Sequence, residues 1–475
     1  MSTAGDLENR MHERERLLHL LRRFGADAVS FLAVESGMQY WFEEGSLGTP
    51  RACVAYVDTG RVWVAAGRPI ADSSSVASVA SAFVSSARAN GRSACFFATE
   101  TREIEGFASL LLGKQPAWRP MEWPGIRARY RRLREQIRRA RAKGVRVRRI
   151  DARELDPGSR LRSELEAIAD EWLGSRHMAP MAFLVALEPY HVPTDHRYYA
   201  AERDGQPVAF LSAVPIYSTR GWLVEDIVRS RRAPNGTTEA LLDMAMREAV
   251  DSEWVTLGLA PLAGPVSRWL RFARFVSQPL YDFRGIQAFK ERLHPSLWQD
   301  VWLLFPKSER PARHVVESLR AFAGGSLFAF AVRSTGRHPS GAPLALALPL
   351  VPWILVLAGL TACGRSDVLG FSRNVLVAWI GFDILLLVQL LRSARGPRLA
   401  RLACSTAAAA VDALWSVLHL ASAGFGATPF RFTLRAISAF APCVGVALLA
   451  WATSQAFVRS RRARPSSPAF DHARE

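Results

Sequence analysis

The sequence predicts an α+β body made of two similar units, followed by an all-α membrane region of about four transmembrane helices. Before about residue 330 the chain is polar and rich in arginine, and short β-rich runs alternate with helical patterns in an order that occurs twice. From about residue 343 to 457, four apolar segments follow one another. Each approaches the roughly 20 residues that cross about 30 Å of hydrocarbon.

Composition narrows the classes of partner. The net charge of +18 over 475 residues comes mostly from arginine, which attracts nucleic acid and anionic lipid alike. The five cysteines contain no CxxC pair and the histidines no HExxH pattern, so neither a disulfide framework nor a metal site is predicted. The N-terminal segment lacks the apolar core of a secretion signal.

The first unit is assigned to residues 1–150. Its hairpin turn is Asp58-Thr59-Gly60, between two β-rich runs. The expected elements are strands at 29–34, 38–42, 51–67 and 93–99 and a helix at 75–91.

A basic amphipathic helix is expected at 125–144, at the end of this unit. Ile126, Tyr130, Leu133 and Ile137 form a narrow apolar stripe among arginines. The cationic face suits nucleic acid or an anionic lipid surface, or is merely solvated.

The second unit is assigned to residues 151–310. We expect helices at 160–175 and 237–251, a hairpin turn at Asp204-Gly205, and strands at 222–229 and from 254. Residues 311–342 are expected to be a linker.

The four predicted spans are followed by a basic cytoplasmic tail at 458–475. Arginines cluster after the second and fourth spans, which places both regions, and the N-terminal body, on the cytoplasmic side. Asp383 and Asp412 fall inside spans and are expected at a helix interface or a membrane edge. The spans are predicted at 343–362, 372–391, 402–423 and 436–457.

One strand–loop–helix segment has the form that acyltransferases of the GNAT type use to bind the pyrophosphate of CoA at a helix N-terminus. Here the loop, Arg231 to Gly236, lacks the glycine pattern of those enzymes. CoA is therefore a weaker candidate than another acyl carrier.

Three further patterns carry a family resemblance over residues 15–306. They are Asp226-x-x-Arg229 followed by Ala-Pro-Asn-Gly at 233–236, LGLAPL at 257–262, and YDFRGIQAFKERLHPSLW at 281–298. Together with the turn at 64–72 and the basic helix, they resemble the C-terminal catalytic domain of the phosphatidylglycerol lysyltransferase family, the multiple peptide resistance factors.

The resemblance implies a tandem GNAT-like fold. It also implies transfer of an aminoacyl group, lysyl or alanyl, from aminoacyl-tRNA to a phospholipid such as phosphatidylglycerol at the bacterial inner membrane. Aminoacyl-tRNA would be a co-substrate, and no cofactor is expected. The open alternatives are a CoA- or carrier-dependent N-acyltransferase and a non-catalytic lipid-binding protein.

The resemblance also implies roles for residues. As catalytic groups, Asp226 would bind the α-ammonium of the aminoacyl group, and Arg229 would bind phosphate or polarise the ester carbonyl. The competing interpretation of Asp226 and Arg229 is a structural ion pair. For the cationic residues it is a solvated surface, and for the aromatic residues it is packing in the core. The candidate substrate-binding residues are Asn235, Tyr281, Phe283, Lys290, Arg292 and Trp298. The candidate tRNA or lipid surface consists of Arg127, Arg131, Arg134 and Arg138.

The sequence departs from the family pattern in four places. The spans follow the catalytic region instead of preceding it, and the acidic residue of the turn at 64–72 is replaced by Arg68. The second lysine of the K-x-K pattern is Arg292, and the asparagine of Tyr-Asn-Phe is Asp282. These departures leave the amino acid and the lipid open.

Overall fold

A computed structural model of the chain describes residues 4–45, 49–176, 178–277, 282–335, 341–364, 369, 372–395, 399–423 and 429–462. The chain divides into two compact units. The first contains nearly all of the residues up to Leu327, and the second contains those from Phe328 onward together with residues 178–179.

In the described part of the first unit, twelve strands form one sheet. They are β1 (Gln39–Glu44), β2 (Pro50–Asp58), β3 (Val62–Ala66), β4 (Ser93–Thr99), β5 (Phe107–Trp118), β6 (Arg146–Ile150), β7 (Arg197–Arg203), β8 (Gln206–Ile216), β9 (Gly221–Arg229), β10 (Trp254–Thr256), β11 (Ala260–Pro261) and β12 (Leu297–Pro306).

Nine α-helices cover this sheet in the same described residues. They are α1 (Ala4–Phe24), α2 (Val76–Ala89), α3 (Trp123–Arg129), α4 (Arg131–Ala142), α5 (Arg160–Gly174), α6 (Thr237–Glu248), α7 (Arg268–Ser277), α8 (Phe283–Glu291) and α9 (Pro311–Phe322).

The two halves of the sheet have the same local topology. In the first, β2 and β3 are antiparallel, and α2 then connects β3 to the parallel strand β4. In the second, β8 and β9 are antiparallel, and α6 connects β9 to the parallel strand β10. The internal repetition expected from the element order is therefore present in the backbone.

The halves are joined by an exchange of strands. The order along the sheet is β1-β2-β3-β4-β12-β5-β10-β9-β8-β7-β6, with β11 paired to β5. Thus β12, which is late in the chain, lies between β4 and β5, whereas β5, which is early in the chain, lies between β12 and β10 of the second half.

The predicted α+β class is confirmed, but several elements differ from the expectation. The expected linker at 311–342 contains α9, which belongs to the first unit. Residues 30–34 form a buried 3-10 turn instead of a strand. A continuous apolar run has no diagnostic period, so its sequence does not distinguish a strand from another buried element. The basic helix is two helices, α3 and α4, separated by the extended residue Tyr130. The central strand β5 was not predicted, because Gly113 and Pro116 interrupt its pattern.

The second unit is helical. In its described residues, α10 (Leu327–Thr335) begins at the unit boundary and is followed by α11 (Gly341–Ala362), α12 (Arg373–Arg395), α13 (Leu399–Ala423) and α14 (Pro429–Arg462). A helix therefore covers each predicted span. Three have the length and apolarity to cross a membrane, at Arg373–Ala394, Leu399–His419 and Phe440–Val458, and Trp353–Ala362 is a shorter apolar stretch. By length and composition these helices fit a membrane protein.

Candidate functional site

A cleft of about 820 Å³ opens beside the C-terminal end of β9. The elements around it are α4, the loop after β9, the start of α6 and the end of α8. Arg229, Asn235 and Arg292, three of the predicted site residues, line the cleft together. Its other lining residues include Arg132, Gln136, Arg139, Trp172, Arg176, Gly236, Glu239 and His294.

Gly236 allows α6 to begin close to α4. Its φ angle is +94°, and a Cβ atom at this position would lie 2.0 Å from the carbonyl oxygen of Gln136. The first N–H groups of α6 lack partners within the helix, so this close approach brings hydrogen-bond donors and the positive end of the helix dipole to the cleft.

Cations of the cleft are not neutralised. Across the residues that the structure describes, the guanidinium groups of Arg132, Arg229 and Arg292 take part in no hydrogen bond or ion pair. Glu239 is the carboxylate among the lining residues. Unpaired guanidinium groups beside a helix N-terminus are suited to phosphate groups.

Asp226 and Arg229 do not form a pair. In the register with β8, Asp226 is opposite Ser212 and Arg229 is opposite Ala209, so the two side chains leave β9 on opposite faces. Arg229 is exposed and lines the cleft, whereas Asp226 is partly buried and accepts a hydrogen bond of 3.1 Å from Ser212 Oγ. The spacing of three residues therefore places the two predicted catalytic groups on different faces of β9, and the competing interpretation of an ion pair between them does not hold.

Asp226 belongs to an acidic cluster, formed by Glu35, Glu188, Glu225 and Asp226. A β-bulge at Glu225 interrupts the register between β8 and β9, and it places two consecutive acidic residues near Glu35. Glu35 directly follows the 3-10 turn at 30–34. His196 completes the group, with its Nε2 atom 3.6 Å from Glu225 Oε2.

Two carboxylates of this cluster each have a buried oxygen without a hydrogen-bond partner among the described residues, whereas Glu188 contacts His191 at 2.6 Å. Glu35 is 4 % exposed, and its Oε2 accepts a hydrogen bond of 3.1 Å from the Leu184 amide. Within the described part of the chain, its Oε1 and the Oε2 of Glu225 are buried without hydrogen-bond partners. Burial and the neighbouring carboxylates raise the pKa of Glu35 to about 9, and burial and Glu225 raise the pKa of Asp226. A cation bound here would remove this repulsion.

Lys290 has a different role from the predicted one. Its Nζ atom donates hydrogen bonds of 2.8, 2.8 and 2.9 Å to the carbonyl oxygens of Leu257, Gly258 and Leu259. An ammonium group has three donors, so none remains for a substrate phosphate. The lysine instead holds the LGLAPL loop, which explains why these two motifs occur together.

The predicted aromatic residues are not gathered at the main cleft. Trp298 lines a second cleft of about 420 Å³, where the ring of Tyr130 is stacked on that of His294 with centroids 3.4 Å apart. Phe283 is half-buried at the start of α8, which Asp282 caps by accepting a hydrogen bond from the Gly285 amide. Tyr281 lies outside the described residues.

The candidate surface on α3 and α4 is divided. Arg131 and Arg138 are exposed, and Arg138 forms an ion pair of 2.9 Å with Glu135. Arg127 instead contacts the fully buried Asp243 of α6 at 3.1 Å, so its assignment to a binding surface is corrected. Arg134 donates to the carbonyl oxygens of Arg127 and Ala128 at the end of α3.

The sequence did not predict most of the acidic cluster or most of the cleft. Glu35, Glu188 and His196 come from loops distant along the chain, and no local pattern marks them. The adjacent Glu225 and Asp226 inside a predicted strand were a usable signal, because two charges in a buried strand are unusual. Arg132 and Arg139 were visible only as part of a general basic face.

Comparison with known proteins identifies the family of the chain. The sequence profile of the C-terminal domain of phosphatidylglycerol lysyltransferase matches residues 18–305. Phosphatidylglycerol lysyltransferase from Bacillus subtilis is 32% identical over 156 residues, which are 30% of this chain and 18% of that protein. The bifunctional lysylphosphatidylglycerol biosynthesis protein LysX from Mycobacterium avium is 27% identical over 287 residues, 54% of this chain and 23% of that protein.

Solved structures show the same fold. L-PGS from Bacillus licheniformis superposes with a TM-score of 0.55 at 20% identity, covering 67% of this chain and 97% of that one. A C-terminal domain assigned to a lysylphosphatidylglycerol synthetase of Agrobacterium fabrum gives 0.56 at 20% identity, covering 67% and 99%.

The chain spans only 18% and 23% of the two curated relatives described above. The family profile, however, matches more than half of this chain, and its residues include both the cleft and the acidic cluster. The chain therefore belongs to the family of the phosphatidylglycerol lysyltransferase C-terminal domain.

Proposed function

We propose that this protein transfers an aminoacyl group from aminoacyl-tRNA to the headgroup of phosphatidylglycerol. One observation carries the proposal: among the described residues, unpaired guanidinium groups lie beside one face of β9, in the cleft, and carboxylates with buried, unpaired oxygens lie beside the other, in the acidic cluster. An aminoacyl-tRNA combines phosphates with an ammonium group, and phosphatidylglycerol contributes a further phosphate. The two faces match these charges.

The cleft would bind phosphates. Arg229, Arg132 and Arg292 provide planar donors, and the start of α6 provides backbone N–H groups. Arg131 and Arg138 on the exposed side of α4 would contact more of the tRNA backbone through attraction that depends on salt concentration.

The acidic cluster would bind the aminoacyl group. A carboxylate is the natural partner of the α-ammonium, and a cluster of four carboxylates accommodates a second cationic group. This favours lysyl over alanyl transfer. It agrees with the B. subtilis relative, which is named a lysyltransferase.

The reaction exchanges one ester for another. A lipid hydroxyl attacks the aminoacyl carbonyl carbon, the new C–O bond forms, and the bond to the ribose oxygen of tRNA breaks. The proton of the lipid hydroxyl passes to that ribose oxygen. Because the donor ester is already activated, the main requirement is to position the reactants. A carboxylate such as that of Asp226, whose pKa is raised by burial and by Glu225, is suited to accept and return this proton.

We infer a multi-pass protein of the inner membrane with its N-terminal unit in the cytoplasm. Arginines follow α12 and the last span, which supports a cytoplasmic position for both regions. Aminoacyl-tRNA is available only on that side. The α+β unit would then meet the lipid at the inner leaflet.

The test is lipid mass spectrometry of bacterial cells that express the full chain, Asp226→Asn, Arg229→Ala or the control Arg160→Ala. Arg160 is a surface residue whose side chain is 79% exposed. We expect a new lysylated phosphatidylglycerol in the wild type and the control, and its loss in the two site variants.

The proposal fails if no aminoacylated lipid forms although the protein is present in the membrane. It also fails if both site variants produce as much as the wild type. An acylated product that forms from acyl-CoA without tRNA would instead support the CoA-dependent alternative.

A further inference from the structure

Two acidic side chains lie inside the membrane helices and face one another. Asp383 is near the middle of α12 and Asp412 near the middle of α13, and they are 1% and 7% exposed. Trp379, one turn before Asp383 on α12, donates a hydrogen bond of 3.0 Å from Nε1 to Asp412 Oδ1. Both carboxylates are therefore adjacent to the same tryptophan, and they interact electrostatically.

The polar groups of this site are incompletely paired. In the described part of the helices, Asp383 Oδ2 and the hydroxyl of Ser416 are buried without hydrogen-bond partners. Ser416 is 2% exposed and lies one turn after Asp412, on the same face of α13. Among these described groups, an unpaired carboxylate oxygen of α12 and an unpaired hydroxyl of α13 are thus buried, the first beside Asp412 and the second one turn after it.

No cationic side chain balances these two acids. Neither aspartate takes part in an ion pair with any residue that the structure describes. α11, which also packs on α12, has no titratable side chain. His419, two turns after Asp412 on α13, binds the carbonyl oxygen of Leu369. α14, which packs on α13, carries arginines near its two ends and Cys443 between them. Among the described groups, Asp412 is the one that interacts electrostatically with Asp383.

Two ionised carboxylates in contact within hydrocarbon are strongly unfavourable, because both desolvation and mutual repulsion oppose them. The tryptophan N–H satisfies one oxygen atom but supplies no charge. We propose that Asp383 and Asp412 form a binding site for one monovalent cation, either a proton shared between the carboxylates or a sodium ion that the Ser416 hydroxyl also contacts. The cation would hold α12 and α13 together at mid-membrane.

The experiment measures thermal unfolding of the purified full chain in detergent. Sodium chloride is compared with choline chloride at equal ionic strength, and the choline series is repeated from about pH 5 to pH 9. The variants are Asp383→Asn and Asp412→Asn. The control is Thr406→Ala, which removes a different hydroxyl of α13, one that is 3.1 Å from Thr453 Oγ1 of α14.

If sodium is the ligand, the Tm of the wild type and of Thr406→Ala rises in sodium relative to choline, and the rise is lost in both aspartate variants. If a proton is the ligand, sodium has no effect. The Tm then falls with increasing pH more steeply in the wild type than in the aspartate variants, and infrared spectra show a protonated carboxyl band that Asp383→Asn removes.

The proposal is overturned if the wild type responds to neither ion, or if both aspartate variants respond as it does. The wild-type measurement decides between these outcomes even if one variant does not fold. Aminoacyl transfer is not the readout, so the result is independent of the proposed activity.

Discussion

The cleft and the acidic cluster flank the same strand, but they hold their charges in different ways. The cleft presents long, exposed guanidinium groups from several elements, such as Arg229 at the end of β9 and Arg292 after α8. The cluster holds short carboxylates that a turn and a bulge fix in place and that are largely withdrawn from solvent. Exposed cations suit a polyanion that binds in many similar ways, whereas buried acids select one cationic group.

The largest expected effect is on transfer activity, and it tests the cleft separately from the acidic cluster. Arg229→Ala should lower transfer about 100-fold, because it removes the phosphate donor at the end of β9. The measurement is transfer from aminoacyl-tRNA to phosphatidylglycerol vesicles, with Arg160→Ala as control. An activity within about twofold of the wild type would show that the cleft is not part of the site.

The acidic cluster should make the stability of the folded protein depend on pH. The usual pKa of Glu35 is 4.5 and its folded pKa is about 9, so the folded state binds this proton more tightly. Stability contributed by Glu35 is complete below about pH 4.5 and is lost as the pH rises to about 9, by up to about 1.4 kcal/mol for each pH unit.

Glu35→Gln should therefore flatten this decline. The free energy of unfolding measured at about pH 5, 7 and 9 checks it, and Glu105→Gln, at an exposed position, is the control. Equal slopes in Glu35→Gln and the wild type would mean that Glu35 has no unusual environment.

A substitution at Gly236 tests the close approach of α6 to α4 beside the cleft. Gly236→Ala should cost about 1–3 kcal/mol, because a Cβ atom would overlap the backbone of α4 and because φ is strained. Gly205→Ala is the matched control, since its φ is +75° but no atom lies within 4 Å of the added Cβ. If both variants lose the same stability, the close approach of α6 to α4 is not needed.

The smallest effects distinguish two arginines of the basic helices. Arg127→Ala should cost about 1 kcal/mol of stability, because it removes one partner of the buried Asp243. Arg138→Ala should change stability by less than about 0.5 kcal/mol. It should, however, reduce the slope of the logarithm of the tRNA binding constant against the logarithm of the salt concentration by about 1, as expected for the loss of one phosphate contact. The reverse assignment of effects would contradict the division of this surface.

The sequence was sufficient for what depends on local pattern. Period-two and helical runs predicted most strands and helices, and the residues of the linked motifs identified the fold and Arg229, Asn235 and Arg292 of the cleft. It was not sufficient for what depends on register or on distant contacts. A bulge at Glu225 decides which way Asp226 points, and the three carbonyl groups that Lys290 binds belong to a loop about 30 residues earlier.

The exchange of β5 and β12 between the halves has a consequence for synthesis at the ribosome. β4 and β5 leave a gap that only residues 297–306 fill, so the first half cannot complete its hydrogen bonding when it emerges. The first half must wait for a strand that begins almost 200 residues after β4 ends, which favours slow closure and exposed strand edges in the interim. The apolar helices follow this strand in the chain, so they leave the ribosome only after the residues that fill the gap.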